Sequence, residues 1–377
     1  MQHRGFGNTG VLVSVLGFGA MRLPTRRGGK VDLERAVPLV QRGIDLGISY
    51  IDSAHSYIRG TSEVAVGQAI KSYDRASLYL ATKIMVGSSH TSDPKSWLRK
   101  LDVSLQRLDT PYIDFIYFHD FRWREFRNYV AGKGKILEAA RRAQAQGLVH
   151  HICFSSHDSV DNIAKLIDTG EFEGVLLQYN YLDRHNVSVI DRASQKGMGV
   201  AIMGPLAGGR LVRPVKPRPP GGQEISTATL GLRFVWSNPA VSVALSGMNA
   251  FSQIEENAAT ADRTEMTEAE LAQVQGVVSE SRGLADLYCT GCGYCMPCPN
   301  GIDIPENFRC LNWLRVWGLE REAKAAYERL GAPGTSGERA QGLRANACIR
   351  CGECEPKCPQ RIPIADQLEE AAERLDP

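Results

Sequence analysis

Short apolar runs alternate with stretches of helical period between residues 11 and 262. The runs VSVLGF (13–18), ISYID (48–52), LYLATKI (78–84) and YIDFIYFH (112–119) combine β-branched and aromatic residues and predict strands. HICFSS (151–156), GVLLQYN (174–180), GVAIMG (199–204) and VSVALSG (241–247) continue the series. Amphipathic patterns at 32–46, 61–71, 94–108, 133–146, 159–169, 186–196, 226–236 and 252–261 predict the helices between and after them. Strands each followed by a helix, eight times over, make the pattern of an α/β fold of the (β/α)8 TIM-barrel type. A span of about 250 residues suits such a barrel.

The stretch GFGNTGVLVSVLGFG predicts a Gly-turn hairpin leading into the first strand. A further helix at 267–280 is expected on the barrel exterior. The division is expected at residue 282, with a barrel over 1–282 and a small, mainly α-helical domain over 283–377. The linker is Arg282–Leu287. Helical patterns at 305–317 and 319–330, a loop GAPGTSGE (331–338) and a final helix ADQLEEAAERL fill the second part. Four Pro and two Gly in LVRPVKPRPPGG (211–222) predict a loop after the seventh strand. On a barrel it lies on the C-terminal face, as a surface connection or as a lid over a cofactor.

The second part carries its own signature. Of the 10 cysteines, eight form two runs. They are Cys289-x2-Cys292-x2-Cys295-x2-Cys298-Pro299 and Cys348-x2-Cys351-x2-Cys354-x3-Cys358-Pro359. This spacing holds 4Fe–4S cubanes, and in two-cluster ferredoxins the fourth Cys of each run ligates the other cluster. The expected sets are Cys289, Cys292, Cys295 and Cys358 for one cluster, and Cys348, Cys351, Cys354 and Cys298 for the other. Cys295-x2-Cys298 is one residue short of the usual spacing, so Cys310 is the alternative to Cys298. Zinc sites use Cys pairs split by a longer loop, and disulfides need an oxidising compartment. Cys153, in an apolar run, is expected in the core.

Composition narrows the classes. A chain of 377 residues with 43% hydrophobic positions can build one large core and one small one. Lys+Arg 44 against Asp+Glu 42 makes no electrostatic case for nucleic acid. No apolar run approaches the ~18 residues of a membrane span. The opening MQHRGFGNTG has no apolar h-region, so the cytoplasm is the expected location.

Polar groups gather at predicted strand ends. Strand two ends in Asp52, with Tyr57 soon after; strand three ends in Lys83 and strand four in His119. Singly, each has an ordinary reading as a cap, a packed phenol, a solvated ammonium or a core histidine. Together, at one barrel face, they predict an active site. A Tyr of pKa ~10 is a poor acid at neutral pH, and a neighbouring ammonium favours its phenolate. A buried carboxylate holds the ammonium, and a His orients a carbonyl oxygen. Tyr57 is then the proton donor as hydride reaches carbon.

At these residues the chain resembles the aldo/keto reductases, and the branch with a C-terminal ferredoxin-type domain. The resemblance rests on VSVLGFGAMRLP (13–24), YIDSAHSY (50–57), ATKI (81–84), YIDFIYFHD (112–120), LLQYN (176–180), GPLAGGRL (204–211), SGMNAFSQIEEN (246–257) and CTGCGYCMPCPNGIDIP (289–305). It implies the tetrad Asp52, Tyr57, Lys83 and His119, and NADP(H) or NAD(H) across the C-terminal face. Gly19, Ala20 and Met21 are implied at the nicotinamide, and Ser155 and Gln178 on its carboxamide. Pro205, Leu206, Gly208 and Arg210 are implied at the pyrophosphate. Ser246, Gly247, Met248, Gln253, Glu256 and Asn257 are implied at the adenosine end, where a helix N-terminus suits a phosphate.

Three departures stand out. Met203 replaces a frequent aromatic. Gly247 and Gln253 replace frequent basic residues that grip a 2′-phosphate, which weakens any preference for NADPH. Tyr57 is followed by Ile-Arg-Gly instead of directly by Gly. The loops after strands one, two and four nominate Met21, Arg22, His55, Arg122 and Trp123 for the substrate, pointing to a polar or anionic carbonyl compound or alcohol. The competing reading makes Arg122 and Arg124 a solvated face.

Nicotinamides deliver two electrons at once, whereas a cubane takes one. A flavin is the usual mediator, and a barrel phosphate site could accept FMN. Three functions follow. The first is a carbonyl reductase or alcohol dehydrogenase whose clusters exchange electrons with a ferredoxin-like partner. The second is a reductase with structural clusters. The third is a non-catalytic redox sensor or relay. The intact tetrad argues against the third, and the presence of two clusters against the second.

Overall fold

The computed structural model describes residues 1–87, 91–132, 134–209, 226–280, 289, 293–331, 342–358 and 360–376. Packing divides the chain into two compact units. One comprises Met1–Tyr179, Arg184–Pro205 and Gly231–Met266; the other comprises Asn180–Asp183, Leu206–Leu230 and Thr267–Pro377.

A closed parallel barrel forms the first unit. Its strands are β3 (Leu16–Gly19), β4 (Tyr50–Asp52), β5 (Tyr79–Met85), β6 (Ile113–His119), β7 (Val149–Ser155), β8 (Gly174–Gln178), β9 (Gly199–Met203) and β10 (Val243–Ser246). They run in sequence order, and β10 closes on β3. An N-terminal hairpin of β1 (His3–Gly5) and β2 (Leu12–Ser14) precedes them. The run 13–18, expected as one strand, is therefore two. Val15 breaks it by donating its N–H to Gln2, while its carbonyl accepts from Ala244 in β10.

Helices α1 (Leu33–Asp45), α2 (Thr61–Ile70), α3 (Pro94–Leu108), α4 (Trp123–Glu125), α5 (Ile136–Ala145), α6 (Val160–Asp168), α7 (Val187–Gln195), α8 (Thr227–Trp236) and α9 (Phe251–Thr260) follow the strands. Local chemistry sets several starts. Asp93 caps Ser96 ahead of Pro94 in α3, and Ser159 caps Asn162 in α6. The charge-rich stretch DFRWREFR holds the short α4 and a π-turn over Phe126–Val130.

Side chains alternate along each strand, so one set fills the barrel. Tyr50, Ala81, Phe115, Tyr117, Cys153, Leu176, Ala201, Val243 and Leu245 form one buried cluster there. Cys153 is thus the core residue expected, and burial pushes its thiol well up. Phe6, from the hairpin turn, joins this cluster with its ring 4.5 Å from that of Phe115. Glycines make room for it. A Cβ on Gly199 would meet the Phe6 ring at 2.1 Å, and one on Gly174 would meet it at 2.6 Å.

The second unit contains α10 (Glu268–Glu280), α11 (Ile304–Trp317), α12 (Glu320–Glu328) and α13 (Ile364–Leu375). Its core joins Ile302, Ile304, Phe308, Leu311 and Tyr327 to Ile362, Ile364 and Leu368, with Cys289, Cys295 and Cys310 among them. Asp303 caps Glu306 of α11, and Gly318 ends that helix in the left-handed region at φ 60. The expected loop 211–222 and linker 282–287 lie outside the described residues, as does all but Gly331 of the loop 331–338. Among the described residues no helix is long and apolar enough to cross a membrane.

Gly199→Ala is expected to cost about 1–3 kcal/mol through overpacking against Phe6. A urea melt should show the loss, and a Phe6→Ala background should reduce it, since the clashing ring is then gone.

Candidate active site and cluster-binding loops

Two residues beyond each apolar side chain of the barrel interior comes the next inward position. On β4 that step runs from Tyr50 to Asp52, on β5 from Ala81 to Lys83, and on β6 from Tyr117 to His119. On β7 it reaches Ser155, on β8 Gln178 and on β9 Met203. A mostly polar ring therefore lies at the C-terminal ends of the strands, above an apolar filling.

Within this ring Lys83 is 1% exposed, Asp52 3% and His119 5%. Lys83 Nζ donates to Asp52 Oδ2 at 2.6 Å and to the Ser53 carbonyl at 2.6 Å. Burial pushes the ammonium below its ordinary range, and Asp52 pulls it back. Burial raises the Asp52 carboxyl, and Lys83 opposes that shift. Tyr57 opens a short 3-10 turn, Tyr57–Gly60. The Lys83 ammonium lies 4.6 Å from the centre of its ring, and the His119 ring meets it edge-on at 5.6 Å. The four residues named from sequence thus converge.

The Tyr57 turn has unusual backbone. Ile58, Arg59 and Gly60 lie in the left-handed region at φ 48, 56 and 77. For a β-branched residue this is strained, so the surroundings must hold it. Arg107 of α3 does so. Its Nη1 donates to the His55 carbonyl at 2.9 Å and to buried Glu63 at 3.3 Å. Thr82 donates to the other oxygen of Glu63 at 2.6 Å. A Cβ on Gly60 would strike the Arg107 guanidinium at 2.6 Å. Ile-Arg-Gly after Tyr57 therefore leaves the ring against Lys83 and His119.

Other polar groups surround the tetrad. Ser155 Oγ accepts from the Asp120 N–H at 3.1 Å. Gln178 is 3% exposed, and its Nε2 has no hydrogen-bond partner among the described residues. Gly204 lies against that amide, since a Cβ there would approach it to 2.5 Å. Ser246 Oγ accepts from Asn257 Nδ2 at 3.1 Å, and Gln253 Oε1 accepts from the Asn249 N–H at 2.9 Å. Ala250 gives α9 no side-chain cap. Gly19, Ala20, Pro205 and Met248 are buried, while Gly247, Gln253 and Glu256 are exposed. Leu206 and Gly208 fall in the second unit, and Arg210 lies outside the described residues.

In the second unit, two cavities meet the cysteine runs. One is lined by Cys348, Cys351, Cys354 and Cys298, together with Cys295. The other is lined by Cys289, Cys295 and Cys358. Cys292 lies outside the described residues. Cys298 thus lines a cavity with three cysteines of the second run, and Cys358 lines one with two of the first, while the Arg350 N–H points at Cys348 Sγ from 3.4 Å. Cys310 is fully buried on α11 and lines neither cavity.

Known proteins share both parts. The model of the "Aldo/keto reductase family" matches residues 15–224, more than half of the chain. The chain belongs to the aldo/keto reductase family. The model of the "4Fe-4S dicluster domain" matches residues 288–363, so the reductase carries an iron–sulfur domain at its C-terminal end. L-galactose dehydrogenase of Arabidopsis thaliana is 26% identical over 308 residues, covering 74% of this chain and 95% of that protein. The NADH-specific methylglyoxal reductase of Escherichia coli is 26% identical over 223 residues, covering 54% of this chain and 67% of that one. The holo form of aldo-keto reductase AKR11C1 from Bacillus halodurans has the same fold, with a TM-score of 0.62 at 24% identity over 73% of this chain and 96% of that one.

The substrate nominees of this reductase scatter. His55 turns to α3, with Nδ1 3.2 Å from Ser104 Oγ, and burial beside Arg107 and Lys100 lowers it to about 4. Trp123 stacks on Phe126 with ring centres 5.4 Å apart, and its backbone N–H donates to Asp158 Oδ2. Arg122 is paired with Asp120 at 3.7 Å. Arg22 lies against Gly247 at the end of β10. Sequence reasoning missed the Glu63–Arg107 latch, because neither residue stands in a catalytic motif and only the fold joins α2 to α3.

Lys83→Met is expected to cost about 3–5 kcal/mol, because the buried Asp52 carboxylate loses its ion pair. The Asp52→Asn/Lys83→Met double variant should cost less than the single one in chemical denaturation.

Proposed function

We propose that the protein reduces a small polar carbonyl compound, or oxidises the matching alcohol, using a nicotinamide dinucleotide. The observation that carries this reading is the buried 2.6 Å Lys83–Asp52 pair beneath the Tyr57 ring. When bound, the reduced nicotinamide supplies a hydride to the carbonyl carbon. Tyr57 donates its proton to the carbonyl oxygen as that oxygen gains charge. Lys83 stabilises the phenolate left behind, and Asp52 keeps the ammonium charged and aimed. His119, edge-on to Tyr57, orients the oxygen. In the oxidative direction the same groups take the proton back.

The residues fit the dinucleotide. The buried Gln178 amide has an unused donor beside Gly204, which suits a carboxamide. The uncapped start of α9 suits a phosphate. The relatives' names, a dehydrogenase of L-galactose and a reductase of methylglyoxal, support a small polar substrate.

Two cubanes belong to the same reading, on Cys289, Cys292, Cys295 and Cys358, and on Cys348, Cys351, Cys354 and Cys298. Their cavities share the walls Cys295 and Ile304, so the clusters are neighbours, as single-electron passage to a ferredoxin-like partner requires. Free thiols for cluster assembly need a reducing compartment, the cytoplasm. A structural contribution accompanies the redox one, because Cys289 and Cys295 are members of the unit's core.

Tyr57→Phe is expected to lower kcat by about 10²–10⁴-fold with unchanged dinucleotide affinity. Full activity of this variant with every carbonyl tried would refute the proton donor. Cys298→Ala is expected to lower iron content to about half and Cys310→Ala to leave it unchanged, since each cubane needs four thiolates. The reverse result would assign Cys310 as the ligand. An anaerobic titration with NADPH and NADH checks cofactor choice, bound flavin and electron arrival at the clusters through bleaching near ~400 nm.

A further inference from the structure

Two strained residues follow Tyr57. Ile58 and Arg59 stand in the left-handed region at φ 48 and 56, ahead of Gly60 at φ 77. Glycine takes that conformation freely, whereas Ile and Arg do not, and strain of this kind persists where a site has a use for it.

A second loop fastens the turn. Thr61 Oγ1 donates to the Ile58 carbonyl at 2.6 Å and accepts from the Val31 N–H at 2.9 Å. Val31 bridges back to Thr25, and within that loop the Gly29 N–H donates to the Arg26 carbonyl at 3.0 Å. The Arg59 guanidinium lies on this loop. A Cβ on Gly29 would stand 3.5 Å from its Nε, 3.7 Å from Cζ and 3.9 Å from Nη2. The loops after β3 and β4 thus hold an exposed guanidinium on the turn that carries Tyr57, two residues further along the chain.

Charge differs across the rim. After β6, Arg122 is paired with Asp120 at 3.7 Å and Arg124 with Glu125 at 2.8 Å, and Asp158 adds a third carboxylate near Asp120. Those cations are already neutralised. After β3, Arg26 is held by Asp32 and Glu34. Arg27, Lys30 and Arg59 are exposed, and no carboxylate pairs with any of them among the described residues. A guanidinium fixed by its surroundings is matched to carboxylate or phosphate oxygens, which it takes in pairs.

We propose that Arg59 selects carbonyl substrates that carry an anionic group, a carboxylate or a phosphate, and holds that group while the carbonyl faces Tyr57. The assignment rests on the carbonyl-reduction reading above and narrows its substrate class. It takes the anion-binding role away from Arg122, which Asp120 neutralises.

Matched aldehydes test this in the full-length protein carrying its clusters. Succinic semialdehyde is compared with butanal, and glyceraldehyde 3-phosphate with glyceraldehyde, at low ionic strength and with whichever of NADPH and NADH is accepted. In the unaltered protein kcat/KM is expected to favour the anionic member of at least one pair by about tenfold or more. The pair that shows the preference identifies carboxylate or phosphate. Arg59→Gly suits the left-handed backbone, and Arg59→Gln keeps a side chain without the charge. Each is expected to lower the anionic-to-neutral ratio about tenfold, mainly through a raised KM for the anion, with Arg59→Lys recovering part of it. A merely structural Arg59 would lower both members together and leave the ratio unchanged, and that result overturns the proposal. An unaltered protein that reduces the neutral aldehydes with no preference for either anion also overturns it, while the reductase reading stands. If none of these aldehydes is reduced, the carbonyl reading fails first and takes this assignment with it.

Discussion

An ammonium and a carboxylate sit inside the barrel, 2.6 Å apart and almost without contact with water. Stripping water from each costs several kcal/mol, and only close pairing with further hydrogen bonds offsets that. Lys83 has two acceptors, Asp52 Oδ2 and the Ser53 carbonyl. Asp52 Oδ1 has no hydrogen-bond partner among the described residues. The pair is therefore held in place by close contacts. Above it lies the ring of Tyr57.

Everything around this pair serves to bring it together. Parallel pairing sets Asp52 opposite Ala81, so Lys83 is the next inward residue on the adjoining strand. Apolar side chains fill the layers below and exclude water. Phe6 joins that filling, at positions opened by Gly174 and Gly199. Tyr50 and Tyr117, one step below Asp52 and His119, share a hydrogen bond between their hydroxyls at 2.8 Å. On the outside, Glu63 and Arg107 hold the left-handed turn that carries Tyr57. Barrel packing, strand register and a latch between two helices thus converge on one tyrosine.

The second unit obeys a different constraint, since its cysteines must face cavities while its short helices share one small core. Repetition meets both needs. Gly293 and Gly352, each following the second Cys of its run, have φ 78 and 76. Gly301 and Arg361, each three residues past the last Cys, have φ 77 and 53. Two isoleucines follow in each half, Ile302 and Ile304 against Ile362 and Ile364; all four are buried, and the second of each pair opens a helix. The two halves cross, so Cys298 lines the cavity of the second run and Cys358 that of the first.

Much of this was legible in the sequence. Apolar runs and helical periods specify a strand–helix alternation, because each pattern can bury its apolar face in only one kind of element. Cysteine spacing specifies cubane chemistry, because thiolates three residues apart can wrap one cluster corner. The gathering of Asp52, Tyr57, Lys83 and His119 could be anticipated, because three of them stand at predicted strand ends and Tyr57 soon after one. Tertiary structure decided the rest. Val15 splits the first expected strand through bonds to Gln2 and Ala244, which are distant in sequence. Cys298 meets the second run although its spacing is short, since a cavity is formed by both halves. His55 turns toward Ser104, and Arg22 toward Gly247, for the same physical reason. Local pattern determines which face of an element is buried, but the neighbour that a polar side chain meets depends on how elements pack across the fold.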